Sequence, residues 1–183
     1  MFFGNSAKLK AGKSLNLKKN PKVPTYWYVP MTGVTVAGKR VDVPPNAFEL
    51  KDDGTGGVII DSGIAISHFE AEVYNHIKAA IEPLIHLPRT TAVDLDLCFQ
   101  LPFPPLRNLS LPSVVYNFEG GVDMHLPENN TYVRAENDAL CLAMVPNDAK
   151  FGVLGTIQQQ NFHFLYDNAQ KKISLEPANC ASL

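Results

Sequence analysis

Asp61 closes an unbroken apolar run. Val58-Ile59-Ile60 leads directly into Asp61-Ser62-Gly63, an order that sets a carboxylate on a tight turn at the end of a buried strand. Such a carboxylate is firmly aimed yet within reach of solvent, which suits general acid or base work on a bound water or carbonyl. The same three residues also make an ordinary turn in which Asp accepts backbone N–H bonds, and the local sequence leaves both readings open. A second segment bears on the choice. Val153-Leu154-Gly155 lies far downstream, two apolar residues and a glycine ahead of a polar stretch able to make one helical turn. A strand passing close behind the Asp turn needs this pattern, because glycine lets two backbones approach.

Other groups offer less chemistry. Cysteines stand at 98, 141 and 180 without C-x-x-C spacing, and the histidines at 68, 76, 86, 125 and 163 make no H-x-x-x-H. Neither metal ligation nor Cys–His catalysis has its motif, so no metal or other cofactor is expected. Gly54, Gly56 and Gly57 are followed by no Lys-Ser/Thr pair and no helix start, and they read as a loop entering the Asp61 strand rather than a phosphate cradle. Asn108-Leu109-Ser110 and Asn129-Asn130-Thr131 fit the N-glycosylation acceptor pattern, a triplet that also arises by chance. Lys and Arg number 16 against 18 Asp and Glu, a net charge of −2. That balance leaves nothing to neutralise a phosphate backbone, so no nucleic-acid partner is expected. No run reaches the roughly 18 apolar residues of a membrane span, and Met1 to Lys8 is too short and polar for a signal-peptide core.

These residues need a scaffold. At 183 residues and 45% hydrophobic, the chain suits one domain with a sizeable core. Its 14 prolines are spread along the whole length and exceed the roughly 5% average, which suits short strands and many turns. Residues 1–24, lysine-rich and proline-broken, read as a loosely ordered lead-in with room for one short strand, and residues 25–183 as the domain. Tyr26–Val36 and Arg40–Val43 read as a strand pair around Ala37-Gly38-Lys39. Ser67-His-Phe-Glu70 has the form of a capping box, and apolar residues from Phe69 to Ile85 recur at helical spacing, so the one long helix is predicted over about 67–87. Extended chain follows over 102–112, then a hairpin of Ser113–Phe118 with Val122–Leu126. A single strand is predicted over Ala139–Val145, and a last strand pair over Phe162–Tyr166 and Lys172–Leu175. Many short strands, one helix and no βαβ rhythm predict an all-β, barrel-like domain.

Several motifs then fall in order: Phe48–Gly63 with its Asp-Asp-Gly-Thr-Gly-Gly-Val-Ile-Ile-Asp-Ser-Gly run, Leu97-Cys-Phe99, Phe118–Met124, Cys141-Leu-Ala-Met144 and Leu154–Phe162. Together, over roughly 22–180, they resemble the C-terminal lobe of plant nepenthesin-like aspartic proteases of the pepsin family. The C-terminal half of cereal xylanase-inhibitor proteins, which lack proteolysis, is similar to the same lobe. The resemblance implies a pepsin-like closed-barrel lobe of a two-lobed endopeptidase, each lobe giving one Asp to a dyad that shares a proton. Asp61 matches the second-lobe Asp, Ser62 and Gly63 its loop supports, and Val153, Leu154 and Gly155 the strand crossing beneath. Substrates would be extended polypeptides, apolar at the scissile bond and cut at acid pH.

The same resemblance implies that Cys98 pairs with Cys141 and that Cys180 reaches a partner outside this segment. Three free or buried thiols are the alternative for a chain kept in a reducing compartment. Relatives are secreted, cell-wall or vacuolar. Ile64 departs from the pattern, since family members usually carry Thr or Ser there, with a hydroxyl that bonds the catalytic carboxylate. With no first lobe in this sequence, the expectation is half a dyad, inactive alone. Two alternatives are a non-catalytic inhibitor-like binding protein and a homodimer that pairs two Asp61 residues.

Overall fold

The computed structural model describes residues 3–104 and 109–182. Seventeen strands, one main α-helix and two α-helices of four residues make up most of it. In chain order the strands begin with β1 (Lys13–Asn16), β2 (Lys18–Asn20), β3 (Val23–Val29), β4 (Met31–Val36), β5 (Lys39–Arg40), β6 (Val58–Ile60) and β7 (Ser67–Glu70). After helix α1 (Ala71–Ile81) come β8 (Arg89–Ala92), β9 (Leu95–Gln100), β10 (Val114–Phe118) and β11 (Val122–Leu126). Helix α2 (Glu128–Thr131) then precedes β12 (Tyr132–Arg134), β13 (Ala139–Leu142), β14 (Met144–Asn147) and β15 (Gly152–Leu154). Helix α3 (Thr156–Gln159), β16 (Phe162–Asp167) and β17 (Lys172–Pro177) complete the order.

The strands form four sheets, with orders β1-β17-β16, β11-β10-β4-β5, β12-β13-β9-β8 and β14-β7-β15-β6-β3-β2. Each sheet keeps two open edges among the described residues, which corrects the closed barrel expected from sequence. Closure would need the end strands of a sheet to pair. Here the sheets instead bury their apolar faces in one shared core, where Phe69 meets Tyr116 edge-to-face at 5.9 Å between ring centroids and Phe48 meets Phe69 at 6.2 Å.

The predicted helix is shorter than its periodicity suggested. Ser67–Glu70 is strand β7, with Ser67 and Phe69 buried and His68 and Glu70 half-buried, and it pairs in parallel with β14 and antiparallel with β15 at Val153↔His68. Glu70 occupies the helix N-cap position without a capping side-chain bond. The Ser-x-x-Glu spacing was misleading because Ser67 spends its hydroxyl inside the sheet, as described below. Helix α1 buries Val73, Tyr74, Ile77 and Ile81, each worth about 1.5–3 kcal/mol of apolar transfer when fully buried. A 3₁₀ turn over Glu82–Leu84 then ends the segment.

The predicted hairpin around Glu119-Gly120-Gly121 forms as β10 and β11, both glycines taking positive φ of 72° and 70°. The strand predicted over 139–145 is divided. Ala143 separates β13 in one sheet from β14 in another, its N–H donating to Thr131 O and its carbonyl accepting the Gln158 side chain. Two strands also occupy the lysine-rich opening. β1 pairs with β17, and β2 covers the edge of β3, with Leu15, Leu17 and Asn20 buried.

Candidate active site: the Asp61 turn

β6 and β15 run parallel inside the six-stranded sheet, pairing Val58↔Gly152, Ile59↔Val153 and Ile60↔Leu154. The pairing carries into the turn, where the Asp61 N–H donates to Leu154 O at 3.1 Å. Asp61 is half-buried and Ser62 and Gly63 are exposed, so the turn surfaces as the strand ends. Its carboxylate is aimed by a bond from the Gly63 N–H to Oδ1 at 2.7 Å. The second carboxylate oxygen makes no hydrogen bond among the described residues. One oxygen held and one presented is the geometry of a group able to exchange a proton with a ligand.

The crossing strand bears on this turn through Gly155. A side chain there would lie 2.7 Å from the carbonyl carbon and oxygen of Ile66 and 2.8 Å from Ala65 O. The main chain of Ala65 and Ile66 leaves no room for a side chain at Gly155, and α3 starts immediately beyond. The first N–H groups of α3, which have no partner inside the helix, donate to the loop: Thr156 N–H to Ile64 O at 2.7 Å and Ile157 N–H to Ala65 O at 3.0 Å. The Thr156 hydroxyl donates to Ser62 O at 2.6 Å. The carbonyls of Ser62, Ile64 and Ala65 are therefore stitched to the helical turn after Gly155.

A buried polar network braces the same junction. Ser67 Oγ accepts the Gly155 N–H at 2.9 Å and donates to Gln158 Oε1 at 2.5 Å. Gln158 Nε2 donates to Asn130 O and Ala143 O at 2.9 and 2.8 Å. The Asn130 amide donates to the carbonyls of Gln158, at 3.3 Å, and Gln160. Ser67, Asn130 and Gln158 are all 0% exposed, and in that setting each satisfied bond avoids a desolvation cost of about 1–3 kcal/mol.

Ile64 turns inward. It packs on a small cluster of Tyr28, Ile59 and Val153, together with Leu50 and Phe151, and offers Asp61 no hydrogen bond. Ile64, Ala65 and Ile66 also line an open hollow of about 710 Å³, together with His68, Asp94 and Asp96. Partial burial and, secondarily, the Asp61 charge hold the Tyr166 phenol of β16 above its ordinary value. Among the described residues no three His, Cys, Asp or Glu side chains gather to hold a metal, and no helix is long and apolar enough to cross a membrane.

The sequence pointed to Asp61, Ser62, Gly63, Val153, Leu154 and Gly155, and the structure brings all six together. Thr156, Ser67 and Gln158 were missed as supports. Thr156 directly follows the crossing glycine, a position from which an N-terminal helical hydroxyl can reach the loop. Ser67 and Gln158 gave no local signal, since their partners lie 88 and 91 residues away for Ser67. Cys98 and Cys141 form a disulfide between the registered pair of β9 and β13, and Cys180 is free and exposed.

Residues 26–177 match the family model described as xylanase inhibitor C-terminal. The chain belongs to this family. Within and around it, the chain is 35% identical over 169 residues to aspartic proteinase nepenthesin-1 of Nepenthes gracilis, covering 91% of this chain and 38% of that protein. It is 33% identical over 183 residues to aspartyl protease family protein 2 of Arabidopsis thaliana, covering 98% and 37%. This member of the family thus spans under two fifths of either relative. Among solved structures it is similar to edgp, with a TM-score of 0.82 at 15% identity over 98% of this chain and 48% of that one. Basic 7S globulin from soybean gives 0.72 at 16% identity, over 93% and 43%. These likenesses establish the pepsin-like lobe as the fold.

Proposed function

We propose that this chain is the C-terminal lobe of an aspartic endopeptidase and supplies Asp61 as one of two catalytic carboxylates. The observation carrying this reading is the Asp61 carboxylate, held through one oxygen by Gly63 on a turn that Gly155 and α3 brace from behind. Placed beside a second carboxylate, it could not ionise together with its neighbour, and the pair would share one proton through the acidic range. One member then takes a proton from the attacking water while the other gives a proton to the carbonyl oxygen and the leaving amine. The chain holds one such turn, so it is inactive alone, and a preceding lobe supplies the other Asp and the rest of the cleft. Substrates are extended polypeptides with apolar side chains at the scissile bond.

A fusion to the N-terminal lobe of a nepenthesin relative, assayed on a peptide library at acid pH, tests the proposal. Cleavage by the fusion and none by the 183-residue chain is expected. A folded fusion without activity contradicts it, and cleavage by the chain alone replaces the second lobe with a second copy of Asp61.

Ile64 favours one other reading. Its inward packing leaves Asp61 without the hydroxyl partner usual at that position, which suits a non-catalytic binding lobe. Stoichiometric binding to a xylan-degrading glycoside hydrolase, by a fusion that cleaves no peptide, would select that reading.

A further inference from the structure

The acceptor triplet Asn129-Asn130-Thr131 lies within α2, between β11 and β12, and its three side chains have different fates. Thr131 is 1% exposed, with its hydroxyl donating to Pro127 O at 3.1 Å. Asn130 is buried in the network that reaches Gln158. Asn129 projects into solvent, and its amide has no hydrogen-bond partner among the described residues. A second, independent observation concerns the compartment. Cys98 and Cys141 are fully buried and joined as a disulfide, the mark of a chain folded under oxidising conditions. N-glycans are attached in secreted proteins, to surface asparagines of such triplets.

From these observations we infer that Asn129 is an N-glycosylation site. A bond forms between Asn129 Nδ2 and the anomeric carbon of an oligosaccharide carried on a lipid diphosphate. The bond from that carbon to the diphosphate oxygen breaks, the lipid diphosphate leaves with the electron pair, and the amide gives up one proton. The order of events follows from Thr131. The triplet is recognised through its Thr hydroxyl, and in the folded chain that hydroxyl is buried and committed to Pro127. Attachment therefore precedes the packing of α2. Afterwards Asn130 and Thr131 enter the core while the glycan stays over solvent, so the fold accepts the modification without displacing a contact.

The other triplet begins at Asn108, which lies outside the described residues, and the test removes it. The full chain carrying Asn108→Gln is directed into the secretory pathway of a eukaryotic host, and its mass is read before and after peptide-N-glycosidase treatment. One glycosidase-sensitive mass step is expected, lost completely in Asn108→Gln/Asn129→Gln and retained in Asn108→Gln/Thr131→Ser. Because attachment comes before folding, a variant that misfolds and stays inside the cell still reports it. An unglycosylated Asn108→Gln chain whose Cys98–Cys141 bond is oxidised would overturn the inference, as would a mass step that survives Asn129→Gln.

Discussion

Gly63 and Gly155 both serve the Asp61 turn, yet they should respond very differently to one added methyl group. At Gly155 the new carbon would meet the main chain of Ala65 and Ile66 at 2.7 to 2.8 Å, and those atoms cannot move without shifting the loop that carries Asp61. At Gly63 it would meet only Asp61 Oδ1, at 3.1 Å, the end of a side chain that can rotate away. Gly155→Ala is therefore expected to cost about 3 kcal/mol, the upper part of the overpacking range, and Gly63→Ala under about 1 kcal/mol. Urea midpoints measured side by side check this, and equal midpoints would contradict it. The glycine was legible in the sequence because close approach is a property of one residue type. Ile64 belongs to the same scale. In an active two-lobe protein, Ile64→Thr is expected to raise kcat by about 10-fold, the effect of one restored hydrogen bond to a reacting group, and an unchanged or lower kcat would show that the hydroxyl is dispensable.

At the scale of elements, the hairpin around Glu119-Gly120-Gly121 was readable, whereas Ser67–Glu70 was not, nor was the division of Tyr26–Val36 at Pro30 into β3 and β4 of different sheets. Residues Ser67–Glu70 satisfy a helix-start pattern, and only tertiary pairing with β14 and β15 decides for a strand. β1 was hidden for the same reason, since its partner β17 lies near the other end of the chain. Ahead of β1 the backbone is tied down by Glu176 of β17. One Glu176 carboxylate oxygen accepts the N–H groups of Lys10 and Ala11 at 2.9 and 2.8 Å, and the other lies 3.2 Å from His163 Nδ1. The Ala11 N–H above all, with His163 and Lys10 N–H adding to it against the opposing effect of burial, holds this carboxyl below the ordinary glutamate value. A carboxyl with a lowered folded value stabilises fully above its unfolded value of about 4.3 and loses that contribution as the pH falls through the folded one. Hydrogen-exchange protection of the Lys10 and Ala11 amides should accordingly be level above about pH 5 and decline below about pH 4, with Glu176→Gln removing the pH dependence. Protection unchanged down to pH 3 would contradict this.

For the molecule as a whole, the all-β class and the single long helix were legible, and barrel closure was not. Closure depends on which strand edges meet, a non-local property that strand composition does not encode. The four open sheets are held together by the shared core, and one covalent link of sequence separation 43 staples the neighbouring strands β9 and β13 within a single sheet. By loop-closure entropy that link is worth about 4 kcal/mol, so Cys98→Ala/Cys141→Ala should lower the unfolding free energy by about that amount in urea titrations. A loss under about 1 kcal/mol would mean that the unfolded chain is already constrained. The largest consequence at this scale concerns the site, because a single Asp turn performs dyad chemistry only opposite another. The deciding measurement is kcat/KM for peptide cleavage at acid pH by the two-lobe fusion, wild type beside Asp61→Asn. A loss of at least about 10³-fold in the variant, with an unchanged urea midpoint, is predicted for a group that carries the proton in the transition state. Equal activity of the two proteins would remove Asp61 from the chemistry.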